Sequence, residues 1–425
     1  MASKLVTAYF AGWKLGSCNA PSHGEVSGIP WNDVNCINHA FWAVEPADGS
    51  SETSFERRAS GKPARKKFRI TPMYPEFDME AKEESTVIPG LLKNHFAQYE
   101  YFGKKYPNVC IMISIGGWTR CGYFSEMAYT REGRASFIQS CIELIKNYPW
   151  IGGIDIDWEY PGCDRPAAGE DDQGCPVWST ADEDSENFAQ LVKELRTEMD
   201  KAFGKNAKKL TACAAGSSGS VCSGWAAAGK WLDCINIMTY DLAGVWDGVT
   251  GHSSSLSGTR KIVRHFLDMG MPPEKLCIGT PLYGYTMLMK SAPEGRVIGQ
   301  PVETFRPAGP EISQKEIAEF ESGAVSGYNL RLKDGRWHLD GRFRHLGSGW
   351  HFEYDDTEDA AYLFNDDEGS EYYKWFISYE NPLSLQAKLD YILNKDLAGI
   401  IIWEACHDTA QHRLIKQIGE RLLKK

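Results

Sequence analysis

Three acidic residues recur at every second position within one apolar stretch of this chain, Gly152 to Tyr160. In a β-strand alternate side chains share a face, so Asp155, Asp157 and Glu159 point one way and the apolar residues between them point the other. Neighbouring acids then stand roughly 6 to 7 Å apart. Carboxylates this close push one another's pKa values apart, so the outermost one, Glu159, can stay protonated and serve as a general acid.

A solvated edge strand or a metal site could also contain such a row of acids. The isoleucines and the tryptophan on the opposite face argue against a solvated edge. A magnesium or calcium site needs further oxygen ligands, and no Asp-rich or His-rich loop in the sequence stands out as their supplier. We therefore expect a catalytic row that uses neither a metal nor a cofactor.

Eight strand-like runs, separated by helical patterns, must position these acids. The runs are residues 5–11, 36–44, 109–115, the acidic stretch, 210–215, 234–240, 276–282 and 399–403. This alternation predicts an α/β fold, a (β/α)8 TIM barrel. A doubly wound open sheet is the alternative, but the first turn, Ala11-Gly12-Trp13, lacks the glycine-rich sequence that such a sheet uses to bind nucleotides.

The connection between the seventh and eighth strands is too long for a loop. It alternates short strand-like runs with turns and contains no cysteine, so its own core must stabilise it. We predict a small inserted α+β subdomain at residues 286–376, with residues 1–285 and 377–425 forming the barrel.

Aromatic and polar residues concentrate where the predicted strands end, which is where barrels of this type carry their active sites. Trp and Tyr rings around a row of carboxylates suit a sugar, whose C–H faces pack on the rings while its hydroxyls form hydrogen bonds. The residues at these strand ends are Trp13, Ser114 to Trp118, Asp155 to Tyr160, Met238 to Asp241, Tyr283, Tyr285, Trp403 and Glu404.

These motifs resemble family 18 of the glycoside hydrolases, the chitinase family, in the branch with an α+β insertion before the last barrel strand. The resemblance covers essentially the whole chain. It is carried by Tyr9 to Trp13, Ala40-Phe41, Ser114-Ile115-Gly116-Gly117, the acidic strand, Met238-Thr239-Tyr240-Asp241, Tyr283 and Trp403-Glu404.

The resemblance implies a role for each acid of the row. Glu159 would be the acid and base, Asp157 would orient the substrate's acetamido group, and Asp155 would share a proton with Asp157. Tyr240 would help bind the acetamido carbonyl, and Trp403 would be the floor beneath a distorted sugar. The full set of expected substrate-binding residues is Tyr9, Trp13, Phe41, Trp118, Met238, Asp241, Tyr283 and Trp403.

Two positions depart from the family pattern. Gly152 stands where the family's acidic signature opens with another Asp, and we expect its loss to alter how the proton is shared along the row. Tyr285 stands where the family often has Arg, so we expect a sugar contact or a salt bridge with Asp241 to be missing.

The leading hypothesis is a retaining, endo-acting chitinase that hydrolyses β-1,4 links between N-acetylglucosamine units by substrate-assisted catalysis. An endo-β-N-acetylglucosaminidase acting on N-glycans needs the same acids and is the runner-up. From a different class comes a non-catalytic chitin-binding lectin, which the presence of Glu159 disfavours and Gly152 leaves open. The expected partners are chitin or chitooligosaccharides, and we expect a monomer.

Composition excludes several further classes of partner. A formal net charge of −11 argues against nucleic acids and anionic membranes, and no apolar run reaches the length of a membrane span. The N-terminus lacks the pattern of a signal peptide. We expect an extracellular protein whose signal peptide is absent from this sequence, with cytoplasmic retention or non-classical export as alternatives. Among twelve cysteines, Cys163 and Cys175 bracket a polar loop and are the candidates for a disulfide in an oxidising compartment.

Overall fold

The computed structural model describes residues 4–14, 25–85, 87–293, 295–303, 324–326, 330–333, 336–339, 349–370, 372–408 and 412–424. Its strands are β1 Leu5–Ala11, β2 Cys36–Pro46, β3 Phe68–Pro72, β4 Cys110–Gly116, β5 Ile151–Asp157, β6 Lys209–Ala214, β7 Cys234–Ile237, β8 Leu276–Pro281, β9 Tyr283–Leu288, β10 Ala324–Ser326, β11 Leu330–Lys333, β12 Arg336–Leu339, β13 Trp350–Asp355, β14 Ala360–Asn365, β15 Trp375–Tyr379 and β16 Gly399–Trp403.

Eight parallel strands close into a barrel, which confirms the predicted TIM-barrel fold. Going round, β1 pairs with β2, followed by β4, β5, β6, β7, β8 and β16, and β16 returns to β1. The acidic strand β5 lies between β4 and β6, with Asp155 beside Ser114 on one neighbour and Thr211 on the other. A short antiparallel strand, β3, extends β2 outside the ring and has no counterpart among the predicted strands.

The helices of the described residues are α1 Ser54–Ala59, α2 His95–Lys105, α3 Phe124–Tyr129, α4 Arg131–Asn147, α5 Ala181–Phe203, α6 Trp225–Ala228, α7 Leu256–Asp268, α8 Pro382–Asn394 and α9 Arg413–Leu422. Helix α5 has an apolar face, which is buried from Phe188 to Met199. It begins at Ala181, because the Thr180 side chain caps it by accepting the hydrogen bond of the Glu183 backbone N–H.

The long connection after β8 contains an antiparallel sheet in the order β10-β9-β15-β14-β13, and a separate pair, β11 and β12. Strand β9 begins at Tyr283, directly after β8, so this sheet continues from one end of the barrel. Buried residues of β14 and β15, including Leu363 and Ile377, form a core of their own. The predicted subdomain boundaries stay a prediction, and residues 304–323 lie outside the described residues.

The main core lies between the barrel wall and the surrounding helices, where Trp158, Phe188 and Trp225 pack with almost no exposure. A second buried cluster fills the barrel itself and includes Tyr9, Cys213 and Ile401. No helix among the described residues combines the length and apolar character that crossing a membrane requires.

Candidate active site

The acidic row follows β5 out of the barrel, as its two-residue spacing predicts. Asp155 and Asp157 lie on the strand, and Glu159 follows its last residue. Their exposed fractions are 0%, 3% and 8%, so burial decreases toward the mouth. The structure therefore places three carboxyl groups in line at the carboxyl end of the barrel, with only the outermost near solvent.

Asp155 is held by hydrogen bonds from four different strands. Its Oδ2 accepts from Tyr9 Oη and Ser114 Oγ, both at 2.8 Å, and its Oδ1 accepts from Thr211 Oγ1 at 2.5 Å and Asn236 Nδ2 at 3.1 Å. The Asp155 side chain is thus fixed in position at the bottom of the row, with hydrogen bonds to both of its oxygens.

Asp157 has a different environment. Burial first, and then the charges of Glu159 and Asp155, raise its pKa well above the ordinary value. Its Oδ1 is buried and has no hydrogen-bond partner among the described residues. The middle acid therefore holds a proton more readily than an ordinary carboxyl group and has an unused oxygen, which suits it to hold a polar group of a ligand.

Burial also raises the pKa of Glu159, to about 7, and the nearby Asp241 carboxyl acts in the same direction. Hydrogen bonds from the Tyr160 hydroxyl and the Trp118 backbone N–H, together with the charge of Arg165, oppose this rise. A carboxyl group with this pKa can give up a proton and take one back near neutral pH, as a general acid and base must. The backbone N–H of Glu159 is itself fixed by Cys121 Sγ at 3.1 Å.

Tyr240 reaches the site from the residues after β7, and a glycine makes room for it. A Cβ atom at Gly279 would lie 2.7 Å from the Tyr240 ring, closer than such contacts allow. The same segment contributes Met238 and Asp241, and the Tyr283 ring packs edge-on against Tyr240 with centroids 6.4 Å apart. All four residues predicted from this region lie together.

Asp241 has two phenol partners, one of which is Tyr285, the residue that departs from the family pattern. Its carboxylate accepts hydrogen bonds from both Tyr283 and Tyr285. Burial raises the pKa of Asp241, and these two hydrogen bonds oppose the rise. Two phenols therefore donate to Asp241 where the family often has an arginine, and the expected loss of a sugar contact or salt bridge stays a prediction.

An aromatic floor faces the row of acids. Trp403, at the end of β16, stacks on Phe41 with centroids 5.6 Å apart and touches Tyr9 at the same distance. Trp13 completes the group at 6.1 Å from Phe41. Gly117 packs beneath Phe41, where a Cβ atom would come within 2.6 Å of the ring. Non-proline cis peptide bonds occur at Ala40-Phe41, Glu159-Tyr160 and Trp403-Glu404.

Trp118 lies apart from this floor, beside Glu159. It is 48% exposed, and its ring meets the Tyr160 ring edge-on at 6.4 Å. Three further residues of this region were absent from the prediction, namely Arg165, Cys121 and Trp246. The guanidinium of Arg165 lies over the Trp118 ring, and Cys121 binds the Glu159 backbone. Trp246 is 57% exposed and packs edge-on against Tyr285. The sequence carried a signal for Trp246, because it follows the Met238 to Asp241 motif closely.

Gly152 is the second residue of β5, at the end of the strand away from Glu159. The pairing of β5 with β4 shifts register beside it, so strict alternation of faces does not hold there. A Cβ atom at Gly152 would point at Cys110 Sγ, only 2.5 Å away. An acid there would lie beside Cys110, away from the mouth of the barrel, and its effect on proton sharing stays a prediction.

The predicted disulfide is absent. Cys163 and Cys175 are both free thiols, as are all eleven cysteines of the described residues. The Cys175 thiol contacts Cys121 and the Tyr160 carbonyl oxygen, the latter at 3.7 Å, while Cys163 has Cys175, Ser220 and Cys222 as neighbours. The two thiols thus lie near one another without a bond between them, and the backbones of Arg165 and Cys175 are paired.

One group of the described residues has metal-ligand chemistry, and it lies away from the acidic row. His39 Nε2 and His95 Nδ1 each lie 2.9 Å from Asp78 Oδ1, and His39 Nδ1 lies 3.2 Å from Tyr99 Oη. These are hydrogen-bond distances. Burial opposes charge on Asp78, but the two imidazoles lower its pKa to about 2. We interpret the group as a buried network that joins β2 to α2.

Comparison with known proteins identifies the family. The model described as glycosyl hydrolases family 18 matches residues 6–408. Chitinase C of Streptomyces lividans is 27% identical over 96% of this chain and 58% of its own length, and Chitinase A1 of Niallia circulans is 29% identical over 72% and 42%. The chain thus spans about half of these relatives. The structure of Ostrinia furnacalis Group IV chitinase in complex with allosamidin is 25% identical, with a TM-score of 0.72 over 98% of this chain and 97% of that one. The chain belongs to the glycosyl hydrolases of family 18.

Proposed function

We propose that this protein is a chitinase that cleaves β-1,4 links between N-acetylglucosamine units with retention, by substrate-assisted catalysis. The observation that carries the proposal is the contrast within the row: Asp155 is fixed by four donors, Asp157 has a raised pKa and an unused oxygen, and the pKa of Glu159 is raised to about 7. Family membership and the chitinases among its relatives support the same activity.

In the proposed first step, the acetamido oxygen of the sugar above Trp403 forms a bond to the anomeric carbon. The glycosidic bond breaks as Glu159 gives its proton to the leaving oxygen. Asp157 accepts the acetamido N–H and stabilises the positive charge of the cyclic intermediate, while the Tyr240 hydroxyl binds the acetamido carbonyl.

In the second step, a water molecule attacks the anomeric carbon and gives a proton to the Glu159 carboxylate. The ring of the intermediate opens, which restores the acetamido group and the protonated acid. Two displacements at one carbon retain its configuration. The substrate must carry a 2-acetamido group, since that group is the nucleophile.

Endo action is part of the proposal. Exposed aromatic rings extend from the buried acids, with Trp118 beside Glu159, and with Trp246 packed on Tyr285 of the antiparallel sheet. Such rings give a polymer more than one sugar-binding position.

Location is proposed on separate grounds. The relatives that the chain matches are chitinases, and we propose the extracellular location first, with cytoplasmic retention or non-classical export as alternatives. Cell fractionation of the native source with an antibody to the chain would decide between them.

The experiment that tests the function compares the wild type with Glu159→Gln and Asp157→Asn on three substrates. These are N-acetylglucosamine hexamer, the fully de-N-acetylated hexamer, and an N-glycosylated protein. Mass spectrometry identifies the products and NMR identifies their first-formed anomer. We expect short oligomers in the β form from the acetylated hexamer and the wild type alone, with the variants reduced about 10²- to 10⁴-fold.

Each alternative outcome has a defined meaning. Release of intact glycans from the glycoprotein, with the hexamer uncut, would establish the endo-β-N-acetylglucosaminidase. Binding of the hexamer without any products would establish the lectin. Cleavage of the de-N-acetylated hexamer at an equal rate would exclude the substrate-assisted mechanism.

A further inference from the structure

Arg165 covers one face of the exposed ring of Trp118. It lies in the loop between β5 and α5, with its Cζ 3.9 Å from the centroid of the Trp118 ring. One of its Nη atoms also donates to the Trp118 carbonyl oxygen. Its side chain is only 17% exposed, unlike that of an ordinary surface arginine. The guanidinium is therefore stacked on the ring and bound to the backbone of the same residue.

Asp172 holds Arg165 in this position. Its two carboxylate oxygens accept from the two Nη atoms at 2.5 and 3.2 Å, the paired geometry that fixes a guanidinium most firmly. The same carboxylate accepts from the backbone N–H groups of Ala168 and Gly174. Burial acts to raise the pKa of Asp172, but these contacts hold it below its ordinary value.

Backbone hydrogen bonds hold the loop that carries this ion pair. Arg165 and Cys175 exchange two backbone hydrogen bonds, at 3.0 and 2.8 Å. The Gln173 backbone N–H donates to the Thr119 carbonyl oxygen at 2.9 Å, next to Trp118 in sequence. The loop and the Trp118 segment thus form one connected unit beside the acidic row.

The position of Trp118 defines which sugar it can contact. Its backbone N–H donates to the Glu159 carboxyl group, and its ring meets the ring of Tyr160, the residue that follows the general acid. A general acid must come within hydrogen-bond reach of the oxygen that it protonates, and that oxygen belongs to the leaving sugar. With Arg165 on one face of the ring, the face available to this sugar is the opposite one.

We propose that Arg165, oriented by Asp172, is a positioning residue that fixes Trp118 as the platform for the leaving-group sugar and so determines the preference for extended substrates. This inference rests on the proposed function. Loss of this cation–π contact would release the exposed Trp118 side chain to other rotamers.

The test uses two substrates that differ only on the leaving side. N-acetylglucosamine hexamer has sugars there, whereas β-chitobiosyl fluoride has a single atom and cannot use the platform. The variants are Arg165→Gln, Asp172→Asn and Trp118→Ala. Arg260→Gln is the matched control, because Arg260 also lies over a ring, 5.7 Å from Tyr391, and pairs with an acid, Asp359.

We expect Arg165→Gln and Asp172→Asn to lower kcat/KM on the hexamer about 5- to 10-fold and to change it less than about 2-fold on the fluoride. Combining Arg165→Gln with Trp118→Ala should add little to Trp118→Ala alone. The charge of Arg165 lowers the pKa of Glu159. In Arg165→Gln, the basic limb of the pH profile of kcat/KM on the hexamer should therefore move to higher pH. Arg260→Gln should match the wild type throughout.

Equal losses on both substrates, or full additivity with Trp118→Ala, would overturn the positioning role. If Arg165→Gln does not fold, Asp172→Asn decides, because it keeps the arginine and removes only its orienting partner. A wild type that cleaves neither substrate would contradict the proposed function itself, which this design distinguishes from a failure at Arg165.

Discussion

Tyr9 on β1 donates a 2.8 Å hydrogen bond to Asp155 on β5 across the interior of the barrel. The same hydroxyl lies 2.9 Å from Cys213 Sγ and 3.4 Å from Asn236 Nδ2. Burial first, and then the charge of Asp155, raise the pKa of Tyr9 well above its ordinary value, so it remains a donor. Tyr9 therefore acts on the acidic row by fixing Asp155 at its base, and not only as an aromatic surface.

Replacing Tyr9 with phenylalanine should weaken catalysis more than folding. Loss of one donor to Asp155 costs about 1 kcal/mol of stability and lets Asp155 compete with Asp157 for the proton. We expect kcat/KM on the hexamer to fall about 10-fold. Tyr99→Phe is the control, because it loses a buried hydrogen bond to His39 outside the barrel. Equal activity losses in the two variants would indicate a purely structural role for Tyr9.

The raised pKa of Glu159 predicts how activity depends on pH. The acid form is needed for the first step, and the pKa is about 7, so kcat/KM should fall about tenfold per pH unit above that value. A pH profile on the hexamer measures this limb directly. A flat profile up to pH 9 would contradict the assignment of Glu159 as the acid.

The same raised pKa predicts that the contribution of Glu159 to folding stability falls as pH rises. An ordinary carboxyl group with a lowered pKa contributes in the opposite direction. Because the folded pKa is raised, Glu159 stabilises the fold below its unfolded pKa, near 4.5, and this contribution is lost as pH rises through about 7. Glu159→Gln cannot ionise, so its Tm should exceed that of the wild type at pH 8 and approach it at pH 5. A Tm difference independent of pH would refute this linkage.

Gly279 is expected to be needed for the position of Tyr240. In Gly279→Ala, the new methyl group would meet the ring at 2.7 Å and the Thr239 backbone nitrogen at 2.9 Å, so Tyr240 must move. We expect a loss of about 1 to 3 kcal/mol in stability and a marked loss of activity. Gly169→Ala is the control, because no atom lies within 4 Å of its Cβ position. Unchanged activity in Gly279→Ala would remove Tyr240 from the mechanism.

The sequence predicted the barrel and the acidic row because both rest on regular patterns. Period-two spacing assigned Asp155, Asp157 and Glu159 to one face, and the strand-end rule brought Tyr240 and Trp403 to them. The contacts that tune these residues come from loops and lack such a pattern. Nothing in the spacing of Trp118, Arg165 and Asp172 indicates that they lie in contact. The first two are 47 positions apart in the sequence and meet only in the folded chain.

The departure at Gly152 leads to a last prediction. Gly152 lies at the start of β5, at the end of the strand away from Glu159, so restoring the usual acid should affect folding and leave the chemistry unchanged. The new Cβ atom in Gly152→Asp would lie 2.5 Å from Cys110 Sγ. We expect a lower Tm, with wild-type kcat and pH profile for the folded fraction.

Removing the obstructing thiol should reverse this effect. Cys110→Ala leaves space for the new side chain, so the double variant Cys110→Ala with Gly152→Asp should recover most of the Tm lost by Gly152→Asp alone. Thermal melts of the two single variants and the double variant form a cycle that measures the coupling, which we expect to be about 1 to 3 kcal/mol. A gain in kcat from Gly152→Asp, or a shift in its pH profile, would show instead that the missing acid belongs to the proton-sharing row.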